Sequence, residues 1–196
     1  MRTTLVLALL ASAVAAVALM GKPAPRVAAP AAARGGAVPA AGARVPDFSL
    51  TDSAGRPVHR RDLRGPWVAS FFFSRCAGQC PMMLANLRSL SARLPGVRLV
   101  SFSLDPADTP KVLAEYARAR GAGWTFLTGA SGRVERLARE GFLLPAGAGN
   151  GSPAEPIIHS DRLVLVDAAG LIRGAFDPSD PAGREALVRA ARELGR

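Results

Sequence analysis

Lysine, tyrosine and histidine are scarce in this chain, and their scarcity narrows what it can bind. Its 196 residues include two lysines, Lys22 and Lys111, one tyrosine and two histidines, yet the formal net charge is +10. Nearly all the positive charge is therefore arginine, spread singly along the sequence. Nucleic-acid binding needs a clustered basic stripe or aromatic side chains on which bases stack. The composition predicts no nucleic-acid partner.

Cysteine is almost absent as well, since Cys76 and Cys80 are the only two. A structural zinc site normally takes four cysteine or histidine ligands, and the second histidine, His59, is distant in sequence from the first, His159. The two cysteines are spaced i and i+4 where an apolar run gives way to a helical pattern, so their sulfurs fall on one face of a helical turn. They are close enough to form a disulfide or to hold one soft metal ion.

Acidic residues are missing from the first 46 positions, where Arg2 precedes an apolar stretch at residues 5–20. Small-residue triplets at 11–13 and 16–18 suit a signal peptidase, so this stretch predicts an export signal. Its length leaves open whether it is cleaved or stays as a membrane anchor, and flanking charges on both sides do not decide the question. Residues 21–44, rich in Pro, Ala, Gly and Arg, predict a disordered tether. We therefore predict three parts: a signal peptide or membrane anchor at 1–20, the tether at 21–44 and one domain at 45–196.

Within the domain, short apolar runs alternate with helical periodicity. Residues 67–74 are almost continuously apolar, which predicts a central strand buried on both faces of a mostly parallel sheet. Further strands are predicted at 48–51, 97–104, 124–127, 162–166 and 171–176, and helices at 81–94, 109–121, 131–140 and 181–194. A Gly/Pro-rich stretch at 145–156 predicts a long loop with a functional role. This order predicts an α/β fold: a thioredoxin-like single domain with a central mixed sheet flanked by helices.

Several motifs in this order resemble the SCO/SenC family of copper chaperones over residues 45–176. They are PDFSLTD at 46–52, DLRG at 62–65, Cys76-x-x-x-Cys80-Pro81, DPADTP at 105–110, FLTG at 126–129, and His159-Ser160 before LVLVD at 163–167. The resemblance implies that Cys76, Cys80 and His159 bind one copper ion. It also implies that the protein helps to assemble the binuclear copper centre of cytochrome c oxidase. Ala77, Gly78, Gln79 and Ser74 depart from the residues usual in the family.

The donor types agree with copper, because thiolates and an imidazole suit both Cu(I) and Cu(II). A helix N-terminus and the neighbouring Arg75 are expected to lower the thiol pKa values, so that both sulfurs ionise near neutral pH. We interpret His159, which follows the long loop, as a mobile ligand that closes on the metal and opens to release it. Partners would be the copper-bearing subunit of cytochrome c oxidase or another exported copper protein, a copper donor and a thiol reductant.

Other candidate residues have simpler interpretations. Met82 and Met83 are predicted to fill the core, although thioethers also bind Cu(I). Asp105 and Asp108 lie at the carboxyl end of a strand and are expected to support the site at most. His59 is predicted to be a surface residue.

Two other functions remain open. In a thiol-disulfide oxidoreductase, Cys76 and Cys80 would form a redox pair that exchanges with cysteines of an exported copper protein. A thiol peroxidase is disfavoured because the threonine and proline that would frame its reactive cysteine are missing.

The predicted location is the periplasmic side of the inner membrane, with the N-terminal segment contacting the membrane. In that oxidising compartment a metal-free pair would tend to close as a disulfide.

Overall fold

The structure is a computed structural model that describes residues 41–76, 78–149 and 156–195. The predicted signal or anchor at 1–20 and nearly all of the predicted tether at 21–44 lie outside these residues. Among the helices described, none combines the length and apolar character needed to cross a membrane.

A seven-stranded mixed sheet forms the centre of the domain. Its strands are β1 (Ser49–Asp52), β2 (Pro57–His59), β3 (Trp67–Phe72), β4 (Arg98–Ser103), β5 (Thr125–Thr128), β8 (Leu163–Val166) and β9 (Ile172–Phe176). They are ordered β2-β1-β5-β4-β3-β8-β9. The pairs β3–β4 and β4–β5 are parallel, whereas β3 pairs with β8, and β1 with β5, in antiparallel fashion. The predicted mixed sheet flanked by helices is thus confirmed.

Strand β3 lies near the middle of the sheet and all six of its residues are buried. Because side chains alternate along a strand, Trp67, Ala69 and Phe71 contact the core on one face. Val68 and Phe72 contact the core on the opposite face. An apolar run without polar alternation is what a strand covered on both sides requires.

The helices cover the two faces unequally. They are α1 (Gln79–Ser91), α2 (Pro110–Ala119), α3 (Arg133–Arg136), which continues into a π-helical turn (Leu137–Gly141), and α4 (Pro181–Leu194). Buried leucines of α1, α2 and α4 belong to the core that contains Phe72, whereas α3 and the π-helical turn pack on the core that contains Phe71. Helix α2 begins as predicted, since the Thr109 hydroxyl accepts a hydrogen bond from the Val112 amide and Pro110 is its first residue.

The predicted long loop at 145–156 is wrong in part, because it contains one strand of a small antiparallel sheet and is followed directly by the other. Strand β6 (Ala146–Ala148) pairs with strand β7 (Ile157–His159), and residues 150–155 between them lie outside the described residues. Glycine and proline content predicted a loop, but the backbone hydrogen bonds between the two ends make a hairpin. The short edge strand β2 was likewise not predicted.

Candidate metal centre

The two cysteines lie at the carboxyl end of β3, where the chain turns into α1. The Cys76 amide donates to the Phe73 carbonyl at 3.2 Å, which closes a tight turn directly after the strand. Cys80 lies in the first turn of α1 and is fully buried, whereas Cys76 is half-buried. Both are free thiols. The turn therefore presents one sulfur partly to solvent and holds the other inside.

His159 reaches the cysteines from a different part of the chain. It is the last residue of β7, and its ring Nε2 lies 3.2 Å from Cys80 Sγ. Its Nδ1 lies 3.1 Å from the Ser160 carbonyl oxygen. Because a carbonyl can only accept, Nδ1 carries the proton and Nε2 directs its lone pair at the sulfur. The ring also packs edge-on against Phe73, with centroids 5.6 Å apart.

The structure thus brings together all three residues that the family resemblance implied as ligands. One donor atom from each of Cys76, Cys80 and His159 lies within 4.8 Å of the other two. That spacing allows all three donors to bond to a single ion. His159 was predicted to lie at the end of a loop. It lies instead on strand β7, which is hydrogen-bonded to β6.

The predicted ionisation of both sulfurs is wrong for Cys80. Burial raises the pKa of its thiol, and the neighbouring Cys76 adds to the effect, while backbone amides oppose it only in part. Burial also lowers the pKa of His159, although its bond to Ser160 works against this. Both groups are therefore neutral at neutral pH, and the Cys80 thiol donates to Nε2. A metal that binds here must displace the Cys80 proton.

Arg75 does not supply the expected positive field at the sulfurs, because a buried carboxylate binds it. Its guanidinium donates twice to Asp105, at 2.6 and 3.0 Å. Arg75 itself is largely exposed. The predicted lowering of the thiol pKa values by Arg75 is therefore wrong. The sequence alone did not reveal that Asp105 binds this guanidinium.

Asp108 has a larger role than the sequence suggested. Its buried carboxylate accepts hydrogen bonds from the Ser74 amide and hydroxyl and from the Ser103 hydroxyl. With Asp105, which binds Arg75, it joins the turn before Cys76 to the loop between β4 and α2. The two carboxylates thus position the cysteine turn. Their place at the carboxyl end of a strand beside β3 was the signal that pointed to them.

The remaining candidates lie apart from the three ligands. Met83 is buried in the core as predicted, but the prediction for Met82 is wrong, since its side chain is 67% exposed. His59 lies on β2, at the sheet edge, four strands from β3. It is half-buried rather than fully on the surface.

The donor chemistry of the site fits a soft or borderline metal. Two sulfurs and a neutral imidazole with a free lone pair suit copper, and also zinc, better than magnesium or calcium, which prefer oxygen ligands. The site supplies three protein donors, fewer than the four of a closed structural zinc site. Among these metals, copper suits a set of two sulfurs and one nitrogen both as Cu(I) and as Cu(II).

Comparisons with known proteins point to one family. The family model described as SCO1/SenC matches residues 37–194. A protein of Stutzerimonas stutzeri, described as a proposed copper-binding protein, is 34% identical over 139 residues, covering 66% of this chain and 67% of its own.

Two solved structures have the same fold. A SCO1/SenC family lipoprotein from Bacillus anthracis is 25% identical, with a TM-score of 0.70 over 81% of this chain and 98% of its own. BsSco, a member of the Sco family of cytochrome c oxidase assembly proteins studied for a disulfide switch, is 26% identical, with a TM-score of 0.66 over 80% of this chain and 95% of its own.

Proposed function

Because the chain belongs to the SCO1/SenC family, we propose that it is a copper metallochaperone that binds one copper ion through Cys76, Cys80 and His159. In this proposal it delivers the copper to the binuclear copper centre of cytochrome c oxidase, or helps to assemble that centre. The observation that carries the proposal is the 3.2 Å approach of His159 Nε2 to Cys80 Sγ. The description of the Stutzerimonas stutzeri relative and the oxidase-assembly family of BsSco support it.

The asymmetry of the two sulfurs suits a protein that passes its metal on. A donor from a partner can approach the half-buried Cys76, whereas Cys80 and His159 are held by the core and by the hairpin. Copper would therefore leave by exchange at the accessible sulfur of Cys76 while Cys80 and His159 still hold it. Such stepwise exchange needs a partner with its own thiolate, thioether or imidazole donors, as copper proteins have.

Removal of the imidazole tests the proposal. His159→Ala is expected to weaken Cu(II) binding by at least about tenfold, because it removes one of three donors, with far-UV circular dichroism unchanged. Copper titration of the reduced protein, with spectroscopic identification of sulfur and nitrogen ligands, measures the effect. His59→Ala is the matched control and is expected to bind as the wild type does. Unchanged Cu(II) affinity in His159→Ala would remove this residue from the site.

A second function, thiol-disulfide exchange, is favoured by the same pair of free thiols. The thiolate of the accessible Cys76 would attack a partner disulfide, forming a mixed disulfide and releasing one partner thiolate. The Cys80 sulfur would then attack Cys76, releasing the second partner thiolate and leaving a Cys76–Cys80 disulfide. Two electrons pass from the pair to the partner.

Metal-free protein separates this function from copper binding. The measurement is the reduction of a disulfide in a peptide that carries two copper-binding cysteines. Cys80→Ser is expected to stop after the first step and accumulate a mixed disulfide through Cys76. A wild-type rate no higher than that of Cys80→Ser would eliminate the reductase.

The location is also proposed. Arg2 and the apolar residues 5–20 support export to the periplasmic side, with the segment retained in the inner membrane. Fractionation of cells that produce the full chain, followed by mass measurement of its N-terminus, distinguishes an anchor from a cleaved signal.

A further inference from the structure

A groove lies between α1 and the end of α2. It has a volume of about 600 Å³, and its lining includes Pro81, Leu84, Ala85 and Arg88 of α1 and Arg120 just after α2. The four residues from α1 recur at helical spacing, so they form one face of that helix. Because Pro81 directly follows Cys80, the groove begins next to the proposed copper site.

The two ends of this groove differ in character. Pro81, Leu84 and Ala85 make the end next to Cys80 apolar. The other end carries Arg88 and Arg120, which are the only charged residues lining the groove in the described part of the chain. A complementary occupant is therefore acidic at one end and apolar along the rest.

Neither of the two arginines is bound to a carboxylate within the described ranges. Arg88 Nη1 donates to the Arg120 carbonyl at 3.4 Å, and the Arg120 guanidinium lies 5.0 Å from the centroid of the Tyr116 ring. Both of these partners are neutral. By contrast, Arg75 and Arg93 each bind a carboxylate. The positive charge at this end of the groove is therefore available to an anion.

The backbone after α2 leaves room for the Arg88 side chain. Gly121 has a φ of +58°, which favours glycine, and a Cβ there would lie 3.0 Å from Arg88 Nη1. The guanidinium thus lies over the end of α2, where the helix dipole favours a positive charge. Arg88 is positioned before any ligand binds, which reduces the entropy lost on binding.

The length of the groove limits what can fill it. Cys80 and Arg88 are eight residues apart on one helix, which corresponds to about 12 Å along the axis. An extended chain covers that distance in about four residues. A free phosphate would contact only the arginine end, and a flat lipid surface would not enter a concave groove. A short protein segment fits both the length and the charge.

We infer that this groove docks an acidic segment of the protein that receives the copper. Carboxylates of the segment would bind Arg88 and Arg120, and a copper-binding side chain about four residues away would then lie beside Cys76 and Cys80. So small an interface is transient, which suits a carrier that must release its partner. Opposite charges would speed the encounter. The inference rests on the proposed copper delivery and adds how the recipient is recognised.

A fluorescent peptide tests the groove in the absence of copper. The peptide carries one cysteine with a pair of glutamates four residues away on each side, so that either chain direction fits. Fluorescence anisotropy measures its binding to the reduced, metal-free full chain at low salt. A peptide with glutamines in place of the glutamates is expected to bind about tenfold more weakly, because its ion pairs with the arginines are lost. Added salt is expected to weaken binding of the glutamate peptide.

Arg88→Glu reverses one of the two charges in the groove. It is expected to weaken binding of the glutamate peptide at least about tenfold and to slow Cu(I) transfer to that peptide by a similar factor. Its Cu(I) affinity, measured by competition with a chromogenic chelator, is expected to equal that of the wild type. Arg189→Glu is the matched control, since it makes the same charge change at an exposed position of α4 that does not line the groove. It is expected to behave as the wild type does.

Several results would overturn the inference. Equal binding of the two peptides, or unchanged peptide binding in Arg88→Glu, would show that the arginines do not recognise the segment. Displacement of the peptide by an equal concentration of inorganic phosphate would reveal a simple anion site. Binding to phosphatidylglycerol vesicles without binding to the peptide would assign the surface to a membrane. Failure of the wild type to bind Cu(I) would overturn the proposed function, and the recipient inferred here with it. The two failures are distinguishable because the peptide titration contains no metal.

Discussion

At the scale of single residues, the site depends on which groups are kept neutral. The Cys80 thiol and the His159 ring share one partly buried hydrogen bond, so the metal-free state carries no net charge between them. An unpaired charge there would be costly to bury. The sequence predicted the residues of the site but expected acidic thiols, because burial is a property of the folded chain and cannot be read from spacing alone.

The buried carboxylate of Asp108 is expected to stabilise the turn that carries Cys76. Asp108→Asn replaces an acceptor oxygen by a donor facing three donors from Ser74 and Ser103, so the cysteine turn is expected to loosen. We expect a loss of about 1–3 kcal/mol in the free energy of unfolding, because buried donors are left unpaired. Cu(I) affinity is expected to fall roughly tenfold, as is usual when a group that positions a ligand is lost. Urea unfolding and chelator competition measure the two effects.

Asp47→Asn is the control for Asp108→Asn. The Asp47 side chain is 86% exposed and pairs with Arg60 at 2.7 Å, so removing its charge should change the free energy of unfolding by less than about 1 kcal/mol. Equal copper affinity in Asp108→Asn and wild type would show that the cysteine turn holds itself without Asp108.

At the scale of elements, two turns are built in the same way. In the β1–β2 turn, Asp52 accepts from the Ala54 and Arg56 amides and from the Arg56 side chain, each at 2.9 Å. In the β8–β9 turn, Asp167 accepts from the Leu171 amide and the Arg173 side chain, each at 2.8 Å. Each turn contains Asp and Gly, residue types that favour turns. The β6–β7 hairpin was not predicted, because each strand has only three residues and β6, Ala-Gly-Ala, lacks the alternating apolar pattern of a strand.

These two carboxylates predict how stability depends on pH. Burial alone would raise their pKa values, but the amide and arginine hydrogen bonds outweigh it and lower them. Each carboxylate therefore stabilises the fold fully above the pKa of the unfolded chain, about 3.9. That stability is lost as pH falls through the lower pKa of the folded state. Urea unfolding at pH 7 and at about pH 3 is expected to show a lower free energy of unfolding in acid.

Asp167→Asn is expected to shrink the difference between the two pH values, because amides do not titrate. Ala54→Ser, in an exposed position of the other turn, should leave the difference unchanged. A pH difference as large in Asp167→Asn as in the wild type would contradict the role assigned to Asp167.

At the scale of the whole molecule, one sheet separates two apolar cores. Phe71 and Phe72, adjacent in β3, belong to different cores, so the sheet couples them through its backbone. The apolar run of residues 67–74 was sufficient to predict a strand buried on both faces. The pairing of β8 against β3 depends on tertiary packing and was not predicted from the sequence. The family resemblance implied only that His159 lies close to the two cysteines.

This coupling predicts cooperative unfolding. Leu87 on α1 and Leu144 after the π-helical turn are buried in opposite cores. Leu87→Ala and Leu144→Ala should each lower the free energy of unfolding by about 2–5 kcal/mol, from lost burial and the cavity left behind. Both variants should unfold in one transition when followed by circular dichroism and by tryptophan fluorescence. Separate transitions in either variant would show that the two cores unfold independently.

The sequence separation of 79 between Cys80 and His159 has a thermodynamic consequence for a filled site. An ion bonded to both residues would act as a reversible cross-link that ties the hairpin to α1 and restricts the unfolded chain as a disulfide does. Loading and unloading would then change the resistance of the protein to proteases. A receiving protein would have to offset that added stability with stronger ligands of its own before the cargo could leave.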